Sequence, residues 1–472
     1  MSDANLRHAE VAIIGAGPAG MAAASRLAEA GQRPVVFDLA PSPGGQIYRQ
    51  LSAPQVGEEV MGRDYLRGRA LLERFENARL DYRPGSRAWW AQREGQGTTL
   101  GVLAGGRSEL WQAKRLIVAG GAMERGWPFP GWQLPGVMQA GAGQILLKQG
   151  GLVPDAPPVL VGTGPLLYLL AWQYLRAGCP PRLILDAAPR SRYAELLRRP
   201  RATWHAGHYL LKGLGMLSAL RRAGVTVKHG LEAIEAEGGE RLEAVRYRLG
   251  GRWQRVGASL LLTHFGVVPE PQLCRGLGLA HDWHDGQQAF VPRRDAGSLA
   301  AEPGVWLAGD GAGIGGALNA EREGHLAALA ILAAEDEVVA HEAAPIHRAR
   351  RRDMRARALL EALFRVPEGW LAAQPETTLV CRCEGVSLGE INAAMAQGAA
   401  GPGQLKAFTR CGMGPCQGRL CGESVTRLLA GHLGTTPEAV GTYQVRPPLQ
   451  SITLGELAVS SVPPEISRSL RS

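Results

Sequence analysis

Five of the seven cysteines lie between positions 381 and 421 of the 472-residue chain. A single arginine separates Cys381 from Cys383, and Cys411, Cys416 and Cys421 follow one another with four residues in each gap. Thiolates at such spacing hold a metal ion or an iron–sulfur cluster. In a reducing compartment, and with few other cysteines in the chain, disulfides are the weaker expectation. Five thiols supply four ligands and a spare. The stretch Cys411-Gly412-Met413-Gly414-Pro415-Cys416-Gln417-Gly418-Arg419-Leu420-Cys421 is rich in glycine, which frees backbone N–H groups to point at cluster sulfurs. A closed zinc site needs no such loop, although the residues alone leave zinc and iron–sulfur both open.

A glycine fingerprint forms the second chemical signature. Val11-Ala12-Ile13-Ile14 reads as a parallel strand buried on both faces; it runs into Gly15-Ala16-Gly17-Pro18-Ala19-Gly20 and then an alanine-rich helix, Met21 to Ala30. Gly15 permits the tight turn, and Gly17 lets the backbone approach a pyrophosphate at the helix N-terminus, where Pro18 and Ala19 sit. Gly20 lets the helix pack on the strand. Gly31 closes the helix, Pro34-Val35-Val36-Phe37 forms the next strand, and Asp38 ends it as the acceptor for an adenosine ribose. Strand, phosphate loop, helix and acid in this order make a dinucleotide site.

The pattern recurs at Pro158-Val159-Leu160-Val161, which leads into Gly162-Thr163-Gly164-Pro165, with Asp186 ending the strand Leu183-Ile184-Leu185. Here Leu167 replaces the third glycine. A bulky side chain stands where helix and strand should meet, so the helix must tilt or shift. NAD(H), an adenine nucleotide or a vestigial, empty site all stay open; any occupant would have an unphosphorylated ribose, given Asp186.

Positioning two such sites and a cluster takes a large scaffold. With 45% hydrophobic and 20% charged residues, the chain is too long for one ordinary core and reads as a globular, multidomain α/β protein. The net charge of +9 comes mostly from arginines at Arg198-Arg199-Pro200-Arg201, Arg221-Arg222 and Arg348 to Arg352. No nucleic-acid module is legible, so these read as solvated helix faces, with a docking patch for an acidic partner as the alternative. Met1 to Glu10 is short and polar and carries no secretory signal, which makes the cytoplasm the default location. Val159 to Trp172, the most apolar stretch, is too short to span a bilayer; peripheral attachment to the inner membrane stays open.

Ser387 to Gln397 reads as a helix begun by a capping box of Ser387 and Glu390. His341 to Arg365 reads as a basic helical connector whose end is marked by Pro367 and Pro375, with arginines able to steer an acidic partner. Cys179 and Cys274 are far apart and read as buried apolar cysteines, so thiol exchange beside a flavin is not expected. His205, His208, His264, His281 and His284 are scattered and read as structural or exposed, and no catalytic residue can be named.

The chain resembles the two-dinucleotide-domain flavoproteins, a Rossmann-like class. Pro43-Gly44-Gly45-Gln46-Ile47-Tyr48 is similar to the loop beside the flavin, which Gly45 and Gln46 would touch. Leu116-Ile117-Val118-Ala119-Gly120-Gly121-Ala122 is similar to the strand and turn between domains, bringing in Ala119 and Gly120. Val305-Trp306-Leu307-Ala308-Gly309-Asp310 resembles the strand whose Gly309-Asp310 holds the ribityl chain. The resemblance implies FAD, held by a discontinuous domain of residues 1–125 and 285–340, and a second nucleotide-binding domain of residues 126–284.

Residues 376–428 resemble the ferredoxin-like [2Fe–2S] domain of bacterioferritin-associated ferredoxin type. Its appended version implies Cys381, Cys383, Cys416 and Cys421 as ligands; free-standing members use a closer second pair, which keeps Cys411 as the alternative to Cys421. The connector, 341–375, precedes this domain. A tail, 429–472, follows it, with an extended end after Arg446-Pro447-Pro448 placed to clamp a neighbouring domain or subunit.

Pro128-Phe129-Pro130-Gly131-Trp132, Leu134-Pro135-Gly136-Val137 and Gly313-Ile314-Gly315-Gly316-Ala317 carry a closer resemblance. By these residues the chain is similar to the alpha subunits of heteromeric FAD-dependent amine dehydrogenases: opine oxidase, D-hydroxyproline dehydrogenase and hydrogen cyanide synthase. That family implies an FAD-dependent beta subunit of amino-acid-oxidase type and a small ferredoxin-like third subunit; some relatives also hold an FMN at a subunit boundary. The expected function is that of an electron-accepting flavin and iron–sulfur subunit which, with that partner, acts on the C–N bond of a secondary amine or amino acid. Two alternatives stand beside it. One is a self-contained NAD(P)H-dependent flavin reductase feeding electrons through its cluster; the other is a structural subunit whose nucleotide sites only stabilise assembly.

Overall fold

The computed structural model describes residues 6–95, 97–333 and 340–458. The expectations that fall on residues 1–5, 334–339 and 459–472 lie outside the described residues.

Apolar runs set the first sheet. Strand β1 (Leu6–Ile14) is central, flanked in parallel by β2 (Val35–Phe37) and, through β2, by β3 (Asp81–Arg83). Two antiparallel strands, β4 (Arg87–Glu94) and β5 (Gly97–Ala104), lead into the long β6 (Arg107–Val118), which returns alongside β1 in parallel. Val11, Ala12 and Ile13 are buried, as a strand covered on both faces requires. The helix Pro18–Glu29 follows the first glycine turn and buries its alanine face.

After a short strand, β7 (Ala122–Glu124), the chain builds a second parallel sheet. Its strands are β8 (Val137–Gln139), β9 (Val159–Gly162), β10 (Leu183–Asp186) and β11 (Thr226–His229). An antiparallel meander, β12 (Ala233–Glu237), β13 (Ala244–Leu249) and β14 (Arg252–Gly257), precedes β15 (Leu261–His264), which completes that sheet in the order β11-β10-β9-β15-β8. Strand β16 (Val267–Pro269) pairs antiparallel with β7, so the outgoing and returning chain run side by side. A hairpin, β17 (His281–His284) and β18 (Ala289–Pro292), then leads to β19 (Ala300–Glu302) and β20 (Val305–Leu307). Strand β20 adds to the first sheet in parallel beside β6.

The basic stretch forms the helix Ala340–Leu363. Not all of its arginines are free to meet a partner: Arg350 shares the buried Glu323 with Arg294, at 2.8 Å each, and the helix's Asp353 takes Arg322 of the preceding helix. Arg348, Arg351, Arg352 and Arg355 remain exposed. The helix Leu388–Ala396 has the capping box expected of it, with Ser387 N–H donating to Glu390 at 2.8 Å. Two further helices, Pro402–Thr409 and Gly422–Leu433, complete the cysteine-bearing unit.

That unit has no separate core. Trp127, Phe129, Trp132 and Phe265, from the linking region and second sheet, pack in one apolar cluster with Ile391, Val425 and Tyr443. The chain beyond it then returns to the first sheet. Leu449 N–H donates to Trp89 C=O at 2.7 Å, and Ile452 and Leu457 pack on Trp89, Trp90 and Leu103.

Candidate functional site

Four segments distant in sequence meet above the C-terminal ends of β1, β6 and β20. Gly15 has φ +103°, and a Cβ there would lie 2.4 Å from Ala119 C=O; a Cβ on Gly20 would lie 1.8 Å from Gly15 C=O. Neither position admits a side chain. Gly44 N–H donates to Ala16 C=O at 2.8 Å, which lays the Gly44-Gly45 loop on the first glycine turn. From the far end of the domain, Gly309 packs on Ala19, and Gly311 approaches Gly121. The structure thus gathers Gly15, Gly17, Pro18, Ala19, Gly20, Gly45, Ala119, Gly120, Gly309 and Asp310 around the first glycine turn.

No side chain caps the helix at Gly17, so its first N–H groups stay available to a phosphate. Asp38 is buried at the end of β2 and accepts from Ala16 N–H and, at 2.6 Å, from Ala40 N–H. Desolvation raises its pKa against those hydrogen bonds. Asp310 accepts from Gly315 and Gly316 N–H at 2.8 Å each and fixes the glycine turn that opens the helix Ala317–Leu332. Gln46 is tied down through its carbonyl, which accepts at 2.9 Å from the buried ammonium of Lys148; Ile47 C=O accepts from the same group at 3.1 Å. Close-packed glycine turns ending at an uncapped helix fit a dinucleotide such as FAD.

The second glycine turn keeps its backbone geometry but not its open acid. Gly162 and Gly164 have φ of +138° and +131°, and Leu167 is fully buried. Asp186 has no exposed surface. It accepts from Tyr168 O–H and, at 2.8 Å, from Ala188 N–H, with His229 Nδ1 at 3.3 Å. Burial, and then the Asp186 charge, push the Tyr168 phenol far above its usual range, so Tyr168 stays a donor. Beneath Gly164 lies His264, whose Nδ1 is 2.6 Å from Glu124 Oε1.

The five cysteines gather as two adjoining groups. The thiols of Cys381, Cys411 and Cys421 lie within 4.8 Å of one another, all buried. Cys383, which is exposed, meets Cys416 through the Cys416 backbone and thiol. Hydrogen bonds from Cys411 and Cys421, helped by the N–H groups of Gly412 and Glu384, pull Cys381 far below the usual thiol range. The Cα of Gly414 comes so close to Cys383 that a Cβ would overlap the Cys383 Cβ at 2.2 Å. Of the expected quartet, Cys381 and Cys421 lie in the buried group and Cys383 lies with Cys416. Cys411 sits against the first pair. Soft thiolates supplemented by backbone donors fit a [2Fe–2S] cluster.

A buried ion pair joins this unit to the nucleotide domains. Arg125 pairs with Glu423, the second residue of the helix Gly422–Leu433, and donates to Gln287 C=O at 2.7 Å. Burial pushes Arg125 down to about 10, although Glu423 opposes this. Backbones touch at the same seam, where a Cβ on Gly126 would meet Leu420 C=O at 2.6 Å. Arg419 adds a 3.1 Å ion pair to Glu270.

Lys148, the Glu124–His264 pair, Tyr443 and Arg125 carry no spacing signature. Each depends on a partner from a distant segment, so the sequence offers at most the acid and base of Glu423 and Arg427, one helical turn apart. Cys274 is buried and its thiol is pushed up to about 12, which suits an inert apolar cysteine. Among the described residues no helix is long and apolar enough to cross a membrane.

Residues 9–324 match the family described as pyridine nucleotide-disulphide oxidoreductase, and residues 379–431 match the BFD-like [2Fe-2S] binding domain. An opine oxidase subunit from Agrobacterium tumefaciens (strain Ach5) is 40% identical over 95% of this chain and 91% of its own. Hydrogen cyanide synthase subunit HcnB of Pseudomonas protegens is 33% identical over 93% of this chain and 95% of its own. The fold is also that of L-proline dehydrogenase from P. horikoshii, with a TM-score of 0.70 and 18% identity over 96% of this chain and 80% of that one. The two family matches indicate FAD for the nucleotide-binding part of the chain and a [2Fe–2S] cluster for the cysteine unit. With a flavin fold, a cluster domain and full-length similarity in agreement, the chain belongs to the family of FAD and [2Fe–2S] oxidoreductase subunits that includes hydrogen cyanide synthase subunit HcnB and the opine oxidase subunit.

Proposed function

We propose that this chain is the electron-accepting subunit of a heteromeric dehydrogenase or oxidase acting on the C–N bond of a secondary amine or amino acid of opine or D-hydroxyproline type. A separate FAD-dependent subunit of amino-acid-oxidase type removes the hydride, and this chain passes the electrons to an acceptor in the cytoplasm. FAD handles electrons in pairs and a [2Fe–2S] cluster singly, which is the chemistry the two groups supply when bound. The protein's part is to fix the two sites relative to each other. The observation that carries the reading is the seam itself: Arg125, Gly126 and Glu270 hold Leu420, Glu423 and Arg419 with no room for an intervening layer. Cys381, Cys383, Cys416 and Cys421 are the proposed ligands, with Cys411 as the alternative to Cys421.

Against a self-contained NAD(P)H reductase stands Asp186, which has no exposed surface and lies behind the Tyr168 hydroxyl. A ribose would have to displace the Tyr168 side chain to reach it. An FMN at a subunit boundary and a small ferredoxin-like third subunit complete the assembly proposed here.

An exposed apolar surface supports this reading. Leu197, Trp204, Leu211 and Leu214 are 86%, 84%, 71% and 62% exposed on neighbouring helices, and they face away from the contact with the helix Ala340–Leu363. Arg198, Arg199, Arg201, Arg221 and Arg222, on or beside the same helices, are exposed as well. Such a patch suits a protein face with an apolar centre and an acidic rim.

The deciding experiment mixes purified chain with NADH and an artificial acceptor, then repeats the assay with an amine substrate and the co-expressed partner. Amine-dependent reduction only in the second mixture is expected. Rapid NADH turnover by the chain alone would replace this reading with the reductase.

A further inference from the structure

Tyr443 follows the last helix of the cysteine unit and lies outside the stretch that matches the [2Fe-2S] binding domain. Its ring is clamped by the glycines of the ligand loop. A Cβ on Gly412 would lie 2.7 Å from the ring Cζ, and one on Gly418 would lie 2.7 Å from Cδ2; these glycines have φ of +87° and +79°. Thr426 Oγ1, donating to Gly441 C=O at 2.8 Å, holds the segment in place from the helix side.

The hydroxyl at the end of this ring is buried and has no oxygen or nitrogen partner among the described residues. A phenol left unpaired in the interior costs about 1–3 kcal/mol, so a fixed, buried tyrosine of this kind calls for an acceptor. The groups around it are Cys421, Cys411 and Cys381, the sulfurs of the buried group, which share its apolar cluster. We propose that Tyr443 is a positioning residue that donates its O–H to a sulfur on the Cys411–Cys421 side of the cluster. A donor aimed at a cluster sulfur stabilises the more negative, reduced state and raises the reduction potential. The residue tunes the potential without being a ligand.

Tyr443→Phe keeps the ring that packs on Gly412 and Gly418 and removes the hydroxyl alone. In the full-length holoprotein the variant is expected to retain iron and sulfide, while an EPR-monitored titration finds the cluster midpoint shifted to a more negative potential. A loaded variant with an unchanged midpoint overturns the proposal, because a merely structural tyrosine would act through the ring. A second readout compares the reduced cluster of the wild type with that of the loaded variant. Pulsed EPR of the reduced wild-type cluster is expected to show a strongly coupled proton that exchanges in D2O, absent from Tyr443→Phe. A wild-type spectrum without a coupling that Tyr443→Phe removes overturns the assignment. Cluster loading itself is read from iron and sulfide, so failure of the cofactor assignment is distinguishable from failure of the tyrosine's role.

Discussion

Lys148 carries an ammonium into the interior with two backbone carbonyls as its partners, those of Gln46 and Ile47. Burial, then repulsion from Arg49, lowers its pKa from 10.5 to about 7. Between those values the unfolded chain binds a proton that the folded chain does not, so folding stability rises with pH across the window. It is fully gained above 10.5 and lost as the pH falls to about 7. Lys148→Met removes this dependence. Chemical denaturation at several pH values should find the wild type gaining on the variant by roughly 1.4 kcal/mol per pH unit at the steepest. At the cysteines, Cys416→Ser is expected to abolish the cluster's EPR signal while FAD absorbance persists, and Cys411→Ser is expected to keep both. Loss of the signal in Cys411→Ser would move the fourth ligand to that position. The turn at Gly15, Gly17 and Gly20 and the place of Asp38 after β2 were legible because one strand–turn–helix fixes their spacing. Lys148 and Tyr443 were not, since each meets its partner across tens of residues or more.

Among the elements, the helix Gly422–Leu433 has the most to hold. Its Glu423 neutralises buried Arg125 and also accepts from Arg427 at 2.9 Å, and Arg427 lies over the Trp127 and Trp283 rings. Removing one partner of a buried pair leaves a desolvated charge. Glu423→Ala should therefore cost about 3 kcal/mol, near the low end for such pairs because Arg125 keeps the carbonyls of Gln287 and Gln288. Guanidinium denaturation followed by cluster absorbance is the measurement; an unchanged midpoint would mean the seam is held by apolar packing alone. The helix starting at Ser387 was readable from its capping box, and the strands around both glycine turns from their apolar runs. The roof over Asp186 was not. Tyr168 lies on the helix that Leu167 was expected to tilt, and only the folded helix shows its hydroxyl reaching the acid.

For the whole molecule, the order of sites along the chain was plain, because each site is announced by a local motif. How the units dock was hidden, since the core they share mixes Trp127, Phe129 and Phe265 with Ile391, Val425 and Tyr443. The same scale governs assembly. Trp204→Glu combined with Leu211→Glu, both on the exposed apolar surface, should abolish co-purification of the partner while FAD and iron contents stay at wild-type levels. Retained association would place the interface elsewhere.

Strand β20, Val305–Leu307, completes the sheet begun by β1 and brings Gly309 and Asp310 to the first glycine turn. A growing polypeptide therefore leaves the ribosome with half a cradle. At about 5–20 residues per second, translation needs on the order of ten seconds or more to reach the missing strand after the first six have emerged. During that wait the exposed edge of β6 has only neighbours within its own amino-terminal segment. Nascent chains halted before residue 310 should emerge without flavin and lean on chaperones, whereas release past that point lets the pocket close around its cofactor.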